Sequence, residues 1–446
     1  MNIMSKTCQG FRVVAWARAV LLIAIGAMFL GLFNERVLAE PVWENGEYLI
    51  YTSADLKDMA DWVNGSQVSP DARYPLANAK YRLMEDIDLG GIEVPWLPIG
   101  ARRTVFFNGE FNGGGHVIHN FVISRDMDYI GLFSVISGDA KISDLKVISF
   151  DIIGKEYVGG LAGQNNSGTI RNSCASGTVN GNERVGGFVG YNYEGTIHTS
   201  YASGAVDGDM EAGGLVGRNT GTIHTSYASG AVSGNRYVGG LVGWNYGQIS
   251  TNYASGAVSG DRNIGGLVGQ NNRGAIITSS YASGTVSGNE LIGGLVGWNF
   301  GTIDPSYWLQ DAPANINAGL KGVGSDDNVI STNVTSLDLA GMANRASFKA
   351  VSWDFYGDQG VTNPDWCYMP LNNGTAPMLF AFDPASASTL NIKKTSENST
   401  QPVKPQASEV RWWLQFGKLG FKELSIYVLF AIVILGVIIF VIRKRQ

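Results

Sequence analysis

Apolar residues in this chain follow two different patterns. Near the ends they run without interruption, as Ala19 to Phe33 (AVLLIAIGAMFLGLF) and Leu424 to Ile442. Between the ends they come in short pieces, Gly-Leu-Val-Gly, Ile-x-x-x-Tyr-Ala and Ala-Val-Ser, separated by Gly or Asn. Pieces this short, rich in Val, Ile, Tyr and Thr and poor in helix formers, predict strands.

The pieces recur with a period. A Gly-Gly pair stands at Gly159-Gly160, Gly186-Gly187, Gly213-Gly214, Gly239-Gly240, Gly265-Gly266 and Gly293-Gly294, at spacings of 27, 27, 26, 26 and 28. Each unit reads approximately V-G-G-L-V-G-x-N-x-G-T-I-x-x-S-Y-A-S-G-x-V-S-G-N. One such unit cannot close a core. Stacked units can, with each strand pairing to its counterpart ~4.8 Å above and below. The expected fold is therefore all-β, a parallel β-solenoid. Its apolar columns are Leu161, Phe188, Leu215, Leu241, Leu267 and Leu295; Ile170, Ile197, Ile223, Ile249 and Ile303; and Val179, Val206, Val232, Val258 and Val286. Tyr201, Tyr227, Tyr253 and Tyr281 form a fourth, with Cys174 as a buried stand-in for Tyr. An Asn follows every first Gly by six positions (Asn165, Asn192, Asn219, Asn245, Asn271 and Asn299), so an inward Asn ladder is expected. No Pro occurs between Pro98 and Pro305, as a coil paired on both sides requires. His116 to Ile123 and Lys141 to Ile148 read as degenerate coils, which makes roughly eight in all. Short helices, Ser53 to Asn64 with Ser53 as its cap and another within Ser336 to Phe348, are expected to close the two ends.

The uninterrupted runs read as addresses. Residues 1–39 resemble a secretory signal, with Lys6, Arg12 and Arg18 before the run and Val37-Leu38-Ala39 at the cleavage position; an uncleaved anchor helix is the alternative. Residues 424–442 make a transmembrane helix followed by Arg443-Lys444-Arg445 on the cytoplasmic side. The expected organisation is a signal at 1–39, an N-terminal capping region at 40–115 and a solenoid at 116–308. A C-terminal capping region at 309–382 follows, then a linker and juxtamembrane segment at 383–423, the span at 424–442 and a tail at 443–446. This is a single-pass membrane protein with its bulk outside the cytoplasm, at a cell surface or in a periplasm. Whether Cys174 and Cys367 pair is left open by their spacing.

Composition agrees with this picture. Gly is 59 of 446 residues and charged residues are 16%, which argues against a helical or disordered chain. A net charge of −6 gives no footprint for nucleic acid. Between Gly154 and Gly301 lie 35 of the glycines, expected at coil corners where φ above zero or close backbone approach is needed.

The V-G-G-L-V-G-x-N unit resembles the GLUG motif of bacterial cell-surface proteins similar to filamentous-haemagglutinin-type adhesins. The lead-in, with Asp86-Ile87-Asp88-Leu89, Trp96-Leu97-Pro98-Ile99-Gly100 and Phe107 to Gly113, and the exit through Tyr307-Trp308 to Met378-Leu379 are similar as well. The resemblance covers about residues 43–382. It implies a surface architecture and no particular activity. Such repeats also occur beside zinc peptidase domains of the immunoglobulin-cleaving kind; no H-E-x-x-H is present here.

Catalysis on a β-solenoid needs clustered carboxylates, whereas Glu183, Asp207, Asp209, Glu211, Asp261 and Glu290 are scattered over turns. Asp207, Asp209 and Glu211 are the densest group, a weak Ca²⁺ site or a solvated turn; Asp86 and Asp88 alternate on one strand as a site or a polar edge. His198 and His224 are expected to stack without further ligands. No enzyme activity, metal or cofactor is expected. If the Asn residues point inward, their neighbours point outward: Tyr191 and Tyr193, Trp244 and Tyr246, Trp298 and Phe300. These pairs fall on alternate coils, ~9.6 Å apart. They make a candidate surface for a glycan or protein partner, as in an adhesin. The competing readings are a passive stalk, in which the alternation only avoids a sticky stripe, aromatics that belong to the core, and a polysaccharide-active enzyme.

Overall fold

The computed structural model describes residues 41–65, 76–90, 96–101, 106–310, 320–327, 331–342, 347, 366–367 and 378–379. The expected signal at 1–39, linker at 383–423, span at 424–442 and tail at 443–446 lie outside the described residues.

Each repeat folds into one coil of three to five short strands, four in the coil Val189–Tyr193, Thr196–His198, Tyr201–Ala202 and Val206–Gly213. Each pairs in parallel with its counterpart in the next coil, placing Val189 opposite Val216, Ile197 opposite Ile223, Tyr201 opposite Tyr227 and Val206 opposite Val232. The piece read as Ile-x-x-x-Tyr-Ala is thus two strands with a corner between them. Register holds although repeat lengths differ, because extra residues go into turns. In the longest unit they form the turn Asn272 to Ala275, where Gly274 has φ +85° and the Ala275 N–H donates to the Asn272 carbonyl at 3.0 Å.

One column of parallel pairs runs from Glu47–Ile50 through Lys80–Leu83, Glu110–Asn112 and Lys141–Ser143 into the repeats, and leaves them through Thr302–Leu309 to Ser331–Leu337. The solenoid has about nine turns rather than eight. The difference arises in the lead-in, where Tyr81 and Phe111 occupy the column that Ile142 and Ile170 continue. Large aromatics there, in place of the recurring Ile, hide the register from a sequence reading. At the exit, Pro305 sits in the register break between Ile303 and Ser306. Its position corresponds to Thr199, Thr225, Thr251 and Ser279, corner residues rather than paired ones.

The Leu, Ile and Val columns are buried throughout and join the lead-in aromatics in one core. Burying each such side chain contributes about 1.5–3 kcal/mol. The Tyr column stacks as expected, with ring centroids 4.7–5.1 Å apart from Tyr201 to Tyr281. Cys174 lies opposite Tyr201, is a free buried thiol, and has its pKa raised by burial.

At the N-terminal end the helix α1 (Ser53–Val63) packs Leu56, Met59, Ala60 and Val63 inward. Its cap is Thr52, not Ser53. The Thr52 Oγ1 accepts from the Asp55 N–H while the Asp55 carboxylate accepts from the Thr52 N–H, a reciprocal capping box. The side chain of Asn64 bonds to the Pro98 carbonyl and the Ala101 N–H, tying the helix end to the lead-in. At the far end, Ser336 and Leu337 belong to a strand, and the helix α2 is the short Leu339–Met342.

Of the two roles expected for the repeat glycines, close approach holds and positive φ does not. Of the glycines from Gly154 to Gly301, Gly274 alone has positive φ. The repeat corners are instead non-Gly residues in the left-handed region: Tyr157, Arg184, Glu211, Tyr237, Asn263 and Leu291 at one, and Asn172, Thr199, Thr225, Thr251 and Ser279 at another. The Gly-Gly pairs serve close approach: a Cβ on Gly214 would stand 2.1 Å from the Gly240 carbonyl oxygen.

Candidate functional site: an outward aromatic and arginine face

The strand Val-Gly-x-Asn-x sorts its residues between inside and outside by alternation. Asn165, Asn192, Asn219, Asn245, Asn271 and Asn299 all point inward and are fully buried. Each Nδ2 donates along the stack at 2.8–2.9 Å to the next residue's Oδ1, and the last donates to Asp326. The Nδ2 groups of Asn165, Asn192, Asn219, Asn245 and Asn299 also donate to a carbonyl of their own turns, such as Gly195 or Gly221. This ladder fixes the strand's facing and leaves the neighbours of each Asn outside.

Outside, the column runs Val135, Gln164, Tyr191, Arg218, Trp244, Gln270, Trp298 and Ser325 in continuous register. Tyr193 and Tyr246 are each 38% exposed, and Tyr191, Trp244, Trp298 and Phe300 are half-buried. Within a coil the two rings meet: Tyr191 and Tyr193 at 5.6 Å, Trp244 and Tyr246 at 5.3 Å, Trp298 and Phe300 at 4.6 Å between centroids.

The structure adds a second outward column, two residues before each Gly-Gly pair: Tyr157, Arg184, Glu211, Tyr237, Asn263 and Leu291, preceded by Tyr129. Sequence reasoning missed it, because its members share a left-handed backbone and no side-chain type. The fixed offset from Gly-Gly was the available signal. The Gly of each Val-Gly-x-Asn lets the two columns lie side by side, since a Cβ on Gly190 would fall 2.6 Å from the Tyr157 carbonyl carbon and one on Gly217 2.5 Å from that of Arg184.

Together the columns fill the gap expected between alternate coils. The Arg218 guanidinium lies over Trp244 at 4.8 Å, Tyr246 at 5.1 Å and Tyr191 at 5.6 Å. Tyr237 stacks on Trp244 at 4.8 Å, Tyr129 on Tyr157 at 4.4 Å, and Arg184 lies over Tyr157 at 4.6 Å. Glu211, 1% exposed, lies between Arg184 and Arg218, 3.6 Å from each. Burial raises its pKa to about 7, outweighing the two guanidiniums that pull it down. The Trp244 Nε1, the Arg218 Nε and one Glu211 oxygen are buried here without a hydrogen-bond partner among the described residues.

The other polar candidates do not converge. Asp86 accepts from the Val117 N–H and Asp88 from the Gly90 N–H, and these backbone bonds lower both pKa values. Asp207 and Asp209 are exposed and bond to Ser233 and Asn235 of the next coil, while Glu211 is buried between Arg184 and Arg218. His198 and His224 stack at 5.1 Å, and among the described residues no three His, Cys, Asp or Glu side chains gather as a metal site would require.

A family model described as "The GLUG motif" matches residues 154–180, 181–207, 208–233 and 260–287. Halomucin of Haloquadratum walsbyi is 34% identical over 106 residues, 22% of this chain and 1% of its own length. A protein named "Putative Gly-rich membrane protein" of Evansella cellulosilytica is 34% identical over 134 residues, 28% of this chain and 14% of its own. The chain therefore spans a small part of the curated relatives it matches. Among solved structures, a putative immunoglobulin A1 protease from Bacteroides ovatus superimposes with a TM-score of 0.48 at 18% identity, covering 77% of this chain and 95% of that one. The four matched stretches, with their stacked Asn ladder and closely approached Gly-Gly pairs, are GLUG-motif repeats.

Proposed function

We propose that this chain is a membrane-associated, extracytoplasmic, adhesin-like surface protein that binds an extended partner along the outward face between Tyr157 and Phe300. The observation that carries the reading is the three-coil cluster of Tyr191, Arg218, Trp244 and Tyr246, a set of π faces with one guanidinium between them on an otherwise polar surface. A stalk requires only the inward columns; it has no use for buried, unpartnered donors such as the Trp244 Nε1 beneath exposed rings. Such rings suit the C–H faces of sugars, and a rigid array with a ~4.8 Å repeat suits a polymer. The names of the relatives, one a Gly-rich membrane protein, support placement at a surface. The reading includes no catalytic step: Glu211, the carboxylate drawn furthest from its usual range, is closed between two guanidiniums rather than paired with a second acid across a cleft.

The test is adhesion of cells displaying the full chain, with a glycan array of the detergent-solubilised chain beside it. Trp244→Ala with Tyr246→Ala is expected to abolish binding. Unchanged binding leaves the spacer reading in its place, and release of fragments from a polysaccharide panel establishes the enzyme reading.

A further inference from the structure

The outward face does not end at Tyr157. Beyond it, toward the lead-in, lies a cleft of about 730 Å³ lined by Phe106, Met127, Tyr129, Ser134, Gln164 and Asn166, among others. That volume is in the range of small-ligand sites. The cleft is continuous with the face, because Gln164 stands in register directly beside Tyr191, and Tyr129 stacks on Tyr157 at 4.4 Å.

Two copies of one tripeptide show what is unusual here. Gln270-Asn271-Asn272 occupies the same place in its coil as Gln164-Asn165-Asn166. In the later coil the amides satisfy one another: the Asn263 Nδ2 donates to the Gln270 Oε1 at 3.0 Å, and the Gln270 Nε2 donates to the Asn272 Oδ1 at 3.1 Å. In the earlier coil the position of Asn263 is taken by Tyr157, whose ring is committed to Tyr129 and offers no amide. The side-chain amides of Gln164 and Asn166 have no hydrogen bond to another described residue, and both line the cleft. Polar groups held at a cleft and left unmatched are poised for a ligand that matches them.

We propose that this cleft binds a terminal N-acetylated amino sugar of a linear glycan whose following units lie along Tyr157, Tyr191 and Trp244. An acetamido group has one N–H donor and one carbonyl acceptor, which the two amides complement. Its methyl group meets an apolar wall of Phe106 and Met127, the latter 47% exposed, and the sugar ring meets the aromatic face of Tyr129. The proposal rests on the outward face being the binding surface.

The experiment titrates the full chain in detergent with N-acetylglucosamine oligomers and glucose oligomers of matched lengths. The acetylated series is expected to bind about tenfold more tightly. In Gln164→Ala/Asn166→Ala the two series are expected to bind equally, with unfolding unchanged because neither side chain carries an internal bond. Met127→Ser, at an exposed position, is expected to weaken only the acetylated series. Trp244→Ala is expected to weaken both series alike. Equal binding of the two series by the unsubstituted chain, or a preference that survives the double substitution, overturns the proposal while leaving the face reading intact. Absence of binding to both series, with adhesion unaffected by Trp244→Ala, overturns both.

Discussion

The two sides of one strand obey different rules. On the inner side of Val-Gly-x-Asn-x, six coils in succession place the same residue, and five of the six Asn side chains donate to an identical one in the next coil. On the outer side the same coils place Gln, Tyr, Arg, Trp, Gln and Trp. Stacking imposes identity where a side chain's partner is its own copy. It imposes nothing where the partner is solvent or a ligand. Variation on the outer side is therefore where a particular partner is selected, while the inner side holds the array rigid.

The largest effect is expected from disturbing the inner side's backbone. Gly214→Ala places a Cβ 2.1 Å from the Gly240 carbonyl oxygen, with no flexible side chain to yield. A loss above about 4 kcal/mol is expected, read as collapse of the urea midpoint. An unshifted midpoint would show that the stack adjusts freely.

Asn219→Ala follows. It strips a donor from the Asn245 Oδ1 and the Gly221 carbonyl and an acceptor from the Asn192 Nδ2. About 3 kcal/mol is expected to be lost. In a repeat array the loss should appear as faster hydrogen exchange in the neighbouring coils.

Glu211→Gln tests where inside and outside meet. The folded pKa of Glu211 lies above its ordinary value, so the folded state holds the proton more tightly than the unfolded chain. Its contribution to stability is complete below about pH 4.5 and is lost as pH rises to about 7, by up to about 3 kcal/mol. The Gln variant should lack this decline. Parallel stability profiles for the two proteins between pH 4.5 and 8 would refute the assignment.

Trp244→Ala should cost least, about 1 kcal/mol from lost contact with Arg218 and Tyr237. The comparison predicts that this small stability change accompanies loss of adhesion, whereas a conservative inner change such as Val232→Ile, at a buried column position, spares adhesion.

Most of the inner side was legible in the sequence. A residue that must meet its own copy has to recur at the coil's period, so the Leu, Ile, Val, Tyr and Asn columns announce themselves. The lead-in coils were not legible. Tyr81 and Phe111 fill the Ile column with larger rings, and one flanking segment is the helix α1, so no period survives. Half of the outer face was legible, because alternation about a buried Asn places Tyr191, Trp244 and Trp298 outside. The other half was hidden: Tyr157, Arg184, Glu211 and Tyr237 sit at left-handed corners, where a reader expects Gly, and have no chemistry in common. Of the two reasons expected for the glycines, close approach holds and positive φ does not: they are needed for what approaches them.

By itself the sequence determined the repeat, its parallel stacking and which residues form the buried ladders. These follow from periodicity, since each coil's hydrogen bonds and apolar contacts are made to a copy of itself. The tertiary structure alone decided that Arg218 bridges two aromatic pairs, that Glu211 lies between two guanidiniums, and that Gln164 is open where Gln270 is closed. Those contacts join residues of unlike type through the corner geometry, and the repeat period does not encode which unlike side chains meet there.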